Sequence, residues 1–178
     1  MSLSRASGIL LHPTSFPSPF GVGDLGQEAY NFVDFLKNSG QKIWQVLPLG
    51  PTGFGNSPYQ AYSAMAGNPL LISPDKLKDE GWLSVRDLSD IPAFPKDQVD
   101  FDLVAQLKSS LLKTAYQNFQ KDTSEEKKET FKKFCNSKAF WLDDYAFYMA
   151  LRDAHQGASW HTWDCLLYTS DAADEGWC

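Results

Sequence analysis

Two short apolar runs, Ile9-Leu10-Leu11 and residues 43–47, flank one amphipathic segment. His12-Pro13 stops the first run and Pro48 the second. Short apolar runs punctuated by proline and glycine read as buried strands. Between them Ala29, Phe32, Val33 and Leu36 recur at helical spacing, Phe35 widens the face, and Gly40 follows as a stop. The spacing predicts a helix over 27–39 and a strand over 42–47. Strand, helix, strand in that order makes a parallel pair, because parallel strands need a long crossover, which is right-handed.

A loop that follows a parallel strand lies at its carboxyl end, where α/β folds place their binding sites. After residue 47 comes Pro48-Leu49-Gly50-Pro51-Thr52-Gly53-Phe54-Gly55-Asn56-Ser57-Pro58-Tyr59-Gln60. Its side chains are rings and neutral hydrogen-bonding groups. That mixture suits a sugar, whose CH faces stack on aromatics while its hydroxyls need donors and acceptors. The same composition also fits an ordinary surface loop whose rings pack back on the domain. The glycines at 50–55 lack the Lys-Ser/Thr pair of a phosphate-binding loop.

Gly21-Val22-Gly23-Asp24-Leu25-Gly26 is a literal G-x-G-x-x-G. A dinucleotide site needs those glycines directly after a strand and an acid after the next one. Pro13, Pro17 and Pro19 separate them from the first strand, and residues 45–49 carry no acid. The glycines therefore read as turns entering the helix, with Asp24 as its cap. A nicotinamide oxidoreductase is the most distant of the readings weighed.

Further on, Leu70-Leu71-Ile72 is another apolar run and a candidate third strand. Ser73-Pro74 opens a brief helix to about Glu80, and residues 84–98 form a polar connector. Leu103, Leu107, Leu111, Leu112 and Ala115 predict a helix over 102–119. Thr123-Ser124-Glu125-Glu126 reads as a capping box for the next helix, with Glu129 and Lys133 paired on its exposed face. A further helix is predicted over 138–155, ended by Gly157. The first half thus resembles the opening of a parallel α/β domain and the second a helical insertion. Two or three strands are too few to close a barrel, so the chain reads as incomplete.

Composition narrows the function classes. The formal net charge is −6, from 16 basic and 22 acidic residues, and no basic cluster stands clear of acids, which argues against nucleic-acid binding. No apolar run approaches membrane-spanning length, and the amino terminus lacks a signal-peptide core, which makes cytoplasm the expectation. Cys135, Cys165 and Cys178 form no metal-binding or disulfide pattern. Neither cofactor nor metal is expected.

Longer motifs carry a resemblance. Arg5-Ala6, Gly8-Ile9-Leu10-Leu11-His12-Pro13-Thr14-Ser15, the glycine motif at 21–26, Trp44-Gln45-Val46-Leu47-Pro48-Leu49-Gly50-Pro51-Thr52-Gly53, Ser57-Pro58-Tyr59-Gln60, Ala66-Gly67-Asn68-Pro69 and Trp141-Leu142-x-Asp144-Tyr145-Ala146 resemble the amylomaltases, or 4-α-glucanotransferases, from about Arg5 to Trp163. The resemblance implies the amino-terminal part of a (β/α)₈ TIM barrel of the α-amylase type, starting over 1–72, with a mainly helical insertion over 73–164. It implies transfer of α-1,4-glucan segments between maltodextrins through a covalent glycosyl-enzyme. That chemistry needs a nucleophilic carboxylate and an acid/base carboxylate about 5 Å apart. In the family these lie on later strands, so no residue here is assigned as catalytic. Ser57 and Tyr59 match positions that touch the glucan near the scissile bond. Phe54 and Phe101 match a second glucan site that some members build with tyrosines. Phenylalanine keeps the stacking and loses the phenolic hydrogen bonds. His12, alone at the end of the first strand, reads as an organiser of its loop.

The run from Cys165 to Glu175 has a different character. Read back into codons, Cys165-Leu166-Leu167-Tyr168-Thr169-Ser170 is compatible with the end of a transposase-type sequencing adapter, so residues 165–178 are left out of the fold expectations. Two functions remain in view: the opening segment of a glucanotransferase, inactive as cut, and a stand-alone glucan-binding or structural protein.

Overall fold

The computed structural model describes residues 5–121 and 124–163. Residues 165–178, with the adapter-like run, lie outside them. The chain divides into two compact units, Met1–Lys128 and Glu129–Cys178.

In the first unit β1 (Gly8–Leu10) pairs in parallel with β2 (Ile43–Gln45), with Gly8 opposite Ile43, Ile9 opposite Trp44 and Leu10 opposite Gln45. The amides of Lys42 and Leu11 extend the ladder, donating to Ser7 O and Gln45 O. A Cβ on Gly8 would fall 2.3 Å from Ile43 O, so only glycine permits this approach. Between the strands runs α1 (Gln27–Asn38). Its end is closed by two crossed hydrogen bonds: Gly40, at φ +71°, donates to Lys37 O, and Gln41 donates to Leu36 O. A residue in the left-handed region just past the last turn satisfies the orphan carbonyls.

The predicted βαβ order is present, but the strands are not buried as expected. In each, only the middle residue is half-covered, and Leu10 and Ile43 are about half exposed. The cover comes from aromatic rings. Phe32 of α1 meets Trp44 edge-on at 5.3 Å, Phe16 lies 5.8 Å from Trp44, and Trp44 Nε1 donates to Leu11 O. On α1 itself Ala29 and Leu36 are buried while Val33 and Phe35 are exposed.

Residues 70–72 do not form the third strand. Pro69–Leu71 is a 3-10 turn capped by Asn68, whose Oδ1 accepts from the Leu70 amide at 2.9 Å. Asx capping offers the backbone an alternative to a ladder, and a following proline favours the turn. Ser73 then caps α2 (Pro74–Asp79) through the Lys76 amide, with Pro74 in the first turn as predicted.

The helix α3 (Phe101–Lys121) buries Val104, Lys108, Leu111 and Ala115. This line is rotated from the predicted leucine stripe, of which Leu103, Leu107 and Leu112 are half-buried. Leu83, Leu111 and Ala115 form a small core with Leu77, Trp82, Leu88 and Leu107 against it. The Asn118 amide nitrogen donates to Trp82 O, and Phe119 meets the Trp82 ring at 5.3 Å.

The two helices expected after residue 124 are one, α4 (Glu125–Ala154). Thr123 of the predicted capping box is outside the described residues; the Ser124 carbonyl accepts from the Lys127 and Lys128 amides. No glycine or proline interrupts 125–154, and Ser137 at the expected break turns its hydroxyl back onto Phe134 O at 2.9 Å, which a helix accommodates. Glu129 and Lys133 lie 3.8 Å apart, both exposed. Gly157, at φ +77°, donates to Arg152 O beyond the helix end. No residue of α4 is buried among those described.

Candidate functional site

Residues 49–68 leave β2 and return, and backbone hydrogen bonds tie the two limbs together. Asn68 donates its amide to Leu49 O at 2.7 Å, Tyr62 to Pro51 O at 3.0 Å, and Gly53 to Gln60 O at 2.7 Å. Thr52 and Ala61 add an antiparallel bridge. Gly50 passes so close to the returning limb that a Cβ would sit 3.0 Å from both Ala61 Cβ and Ser63 O. The tip turns through Gly55 and Asn56, both at positive φ. A loop closed in this way presents its tip residues from a fixed base.

Ser57 and Tyr59 share that tip. The Tyr59 amide lies 3.4 Å from Ser57 Oγ, and Gln60 donates to Ser57 O. Ser57 is half-buried, and Tyr59 is 73% exposed. Phe54 belongs to the 3-10 turn Phe54–Asn56 that opens the same tip. Phe101 is the first residue of α3 and half-buried. A cleft of about 760 Å³ lies between residues 14–22 and 91–99, and Ser57, Tyr59 and Phe101 do not line it.

His12 sits just past β1 and caps the turn Pro13–Ser15, with Nδ1 2.7 Å from Thr14 Oγ1. This geometry agrees with its reading as an organiser of its loop. Its Nε2 is buried without a partner among the described residues.

The glycine motif packs rather than cradles. A Cβ on Gly21 would meet the Phe94 ring at 2.3 Å, and one on Gly23 would meet Pro13 O at 2.2 Å. Asp24 does not cap α1 as predicted. Gly26 is the N-cap, and it donates its own amide to Asp24 Oδ1 at 2.9 Å. The other carboxylate oxygen faces Lys108 of α3, Nζ to Oδ2 3.0 Å. A carboxylate paired there would repel a phosphate, against a dinucleotide reading.

Lys108 is the residue that pattern reading missed. It is 1% exposed, and Nζ also donates to Leu70 O at 2.7 Å and Ile72 O at 2.9 Å. Three acceptors match the three protons of an ammonium. Burial pushes the Lys108 ammonium below its ordinary value, and Asp24 pulls it the other way. The available signal was its register: four residues after Val104 and three before Leu111, in the middle of an apolar line.

Known proteins share this chain's sequence and geometry. Residues 11–175 match the family model described as 4-alpha-glucanotransferase, a span running past Trp163, the predicted end of the resemblance. The 4-alpha-glucanotransferase of Synechocystis sp. is 52% identical over 160 residues, covering 90% of this chain and 32% of that protein. The one from Thermus thermophilus is 50% identical over 167 residues, covering 94% and 33%. The structure of amylomaltase from Streptococcus agalactiae in complex with acarbose matches with TM-score 0.83 at 39% identity, covering 90% of this chain and 32% of that one. The chain thus spans about a third of the length of these relatives. With most of its residues inside the family model and half of them identical to those of such relatives, the chain belongs to the 4-alpha-glucanotransferase family.

Proposed function

We propose that this chain is the amino-terminal, substrate-holding segment of a (β/α)₈-barrel enzyme of the α-amylase type that transfers α-1,4-glucan segments between maltodextrins. In this reading residues 1–72 open the barrel, residues 73–164 form a mainly helical insertion, and residues 165–178 are adapter read-through. The reaction is a retaining double displacement. A carboxylate outside this chain attacks the anomeric carbon, a second protonates the departing oxygen, and the acceptor hydroxyl then displaces the enzyme carboxylate. No cofactor or metal enters this chemistry, and the partners are maltodextrins rather than nucleic acid or membrane. No described helix is long and apolar enough to cross a membrane. We place the enzyme in the cytoplasm.

The observation that carries the reading is the exposed Tyr59 ring beside Ser57 on a loop tied at its base. Such a ring stacks on a glucose face without rearrangement, and the Ser57 hydroxyl supplies a hydrogen bond nearby. The acarbose complex of the relative of known structure supports a carbohydrate ligand. Phe54 and Phe101 form the second, stacking-only glucan site of this proposal.

Tyr59→Ala in the full-length enzyme tests it. Stacking and a neutral hydrogen bond are each worth about 1 kcal/mol, so kcat/KM on maltotriose is expected to fall roughly tenfold or more. Phe54→Ala should leave maltotriose unaffected and act only on long glucans. Equal, large losses in both variants would overturn the assignment of the loop. Tight glucan binding without transfer by a natural protein ending near residue 164 would favour the stand-alone binding protein instead.

A further inference from the structure

The neck of the glucan-binding loop is connected to α3 by an unbroken run of hydrogen bonds. Lys108 Nζ donates to Leu70 O at 2.7 Å, and the Leu70 amide donates to Asn68 Oδ1 at 2.9 Å. The Asn68 amide donates in turn to Leu49 O at 2.7 Å. Leu49 and Asn68 are the two ends of the loop that carries Ser57 and Tyr59. Asn68 is itself buried, at 7% exposure, so water offers its groups no ready substitute partners. A lysine placed only to anchor α3 needs a countercharge, and Asp24 meets that need. The two remaining protons go to neutral carbonyls, Leu70 O and Ile72 O, on either side of Leu71 in the turn that closes the loop.

We propose that Lys108 is a positioning residue for the glucan-binding loop: by holding the Leu70 and Ile72 carbonyls it fixes the Asn68-capped turn, and through Asn68 the neck at Leu49. Its consequence for substrate rests on the reading of Ser57 and Tyr59 as glucan contacts; the mechanical claim does not. Breaking the first link frees two carbonyls that then compete for other donors. Breaking the middle link releases the neck while α3 stays in place.

Amide hydrogen exchange on the 178-residue chain separates these steps. In Lys108→Met the amides of Gly53, Tyr62 and Asn68 are expected to exchange about tenfold faster or more, the mark of local opening. Asp24→Asn keeps an oxygen acceptor and both carbonyl contacts but removes the countercharge of a buried ammonium, so it should cost the chain stability while releasing these three amides less than Lys108→Met does. Asn68→Ala should release Gly53 and Tyr62 while α3 keeps its protection, and it decides the matter if Lys108→Met does not fold. Unchanged loop amides in Asn68→Ala, or in a folded Lys108→Met, would overturn the proposal. So would loop opening in Asp24→Asn as large as in Lys108→Met. Added maltoheptaose should protect the loop in the wild-type chain and in Asp24→Asn, with about tenfold weaker binding in the other two variants. Absence of any maltoheptaose protection in the wild type would overturn the glucan reading alone, because the exchange rates without sugar still decide the role of Lys108.

Discussion

Ser84 and Asp87 cap each other across the turn Arg86–Leu88. The Ser84 hydroxyl and amide both donate to Asp87 Oδ2 at 2.7 Å. The hydroxyl bond, then the amide bond, hold the Asp87 carboxyl below its ordinary 3.8. A carboxylate depressed in the folded state contributes stability above its unfolded value and loses it as pH falls through the folded one. This cap should therefore hold at neutral pH and weaken only in acid, below 3.8. Titration of the Asp87 side-chain carboxyl by NMR should show a depressed midpoint that moves up in Ser84→Ala; an ordinary midpoint in the wild type would dismiss the cap. Two glycines make a sharper contrast. Gly40, at φ +71°, has nothing within 4 Å of a would-be Cβ. Alanine there meets only backbone strain, about 1–2 kcal/mol. Gly23 is hemmed by Pro13 O at 2.2 Å and Phe16 N at 2.5 Å, both backbone. Gly23→Ala must move one of these segments, so urea should unfold it at a clearly lower concentration than Gly40→Ala. Equal midpoints would mean that residues 13–16 yield freely.

At the scale of elements, legibility followed the local signals. Helix α1 was legible because apolar spacing and Gly40 agree, and α2 because Ser73-Pro74 fixes its start. Residues 70–72 were not, because three apolar residues serve a strand or a turn equally, and the bonds that hold the turn's Leu70 and Ile72 carbonyls come from Lys108, distant in sequence. The Asn68-Pro69 pair was the signal available on the page of letters. The lysine itself was hidden by the rule that charges face solvent, which fails when three acceptors converge. Of the candidate site, the place of the loop after β2 was legible; the exposure of Tyr59 and the bonds that close the neck were not, since backbone pairing leaves no trace in side-chain type. The long helix shows the opposite failure, a break read where no breaker stands. Ser137→Pro tests its continuity. Within an uninterrupted helix it removes one backbone hydrogen bond and clashes with the preceding turn, at a cost of about 3 kcal/mol or more. Helical circular dichroism should fall visibly; an unchanged spectrum would restore two separate helices.

At the scale of the molecule, the exposed apolar surface and the proposed placing of the reacting carboxylates outside this chain lead to one expectation. A parallel sheet is stable with neighbours on both edges and helices on its faces. Here β1 and β2 pair only with each other among the described residues, and Leu10, Val33, Phe35, Ile43, Val46 and Leu49 are exposed. These side chains belong to the segment that relatives three times as long continue. Such a surface favours self-association. The chemical deficit that the proposal implies is separate from the structural one. Glucan transfer needs a nucleophile and a proton donor held on one glycosidic bond. Asp24, in the glycine loop between β1 and α1, is committed to Lys108 and the Gly26 amide. Residues 1–164 alone, incubated with maltotriose, are expected to yield neither glucose nor longer maltodextrins, and to bind glucan at best in the millimolar range, about −4 kcal/mol. Heating should give a broad transition rather than one cooperative melt. Transfer at a rate near that of the full-length enzyme would place the reacting carboxylates within this chain, against the proposal. A sharp two-state melt would leave the chemistry untouched and show instead that the uncovered faces of α1 and the strand pair are no obstacle to independent folding.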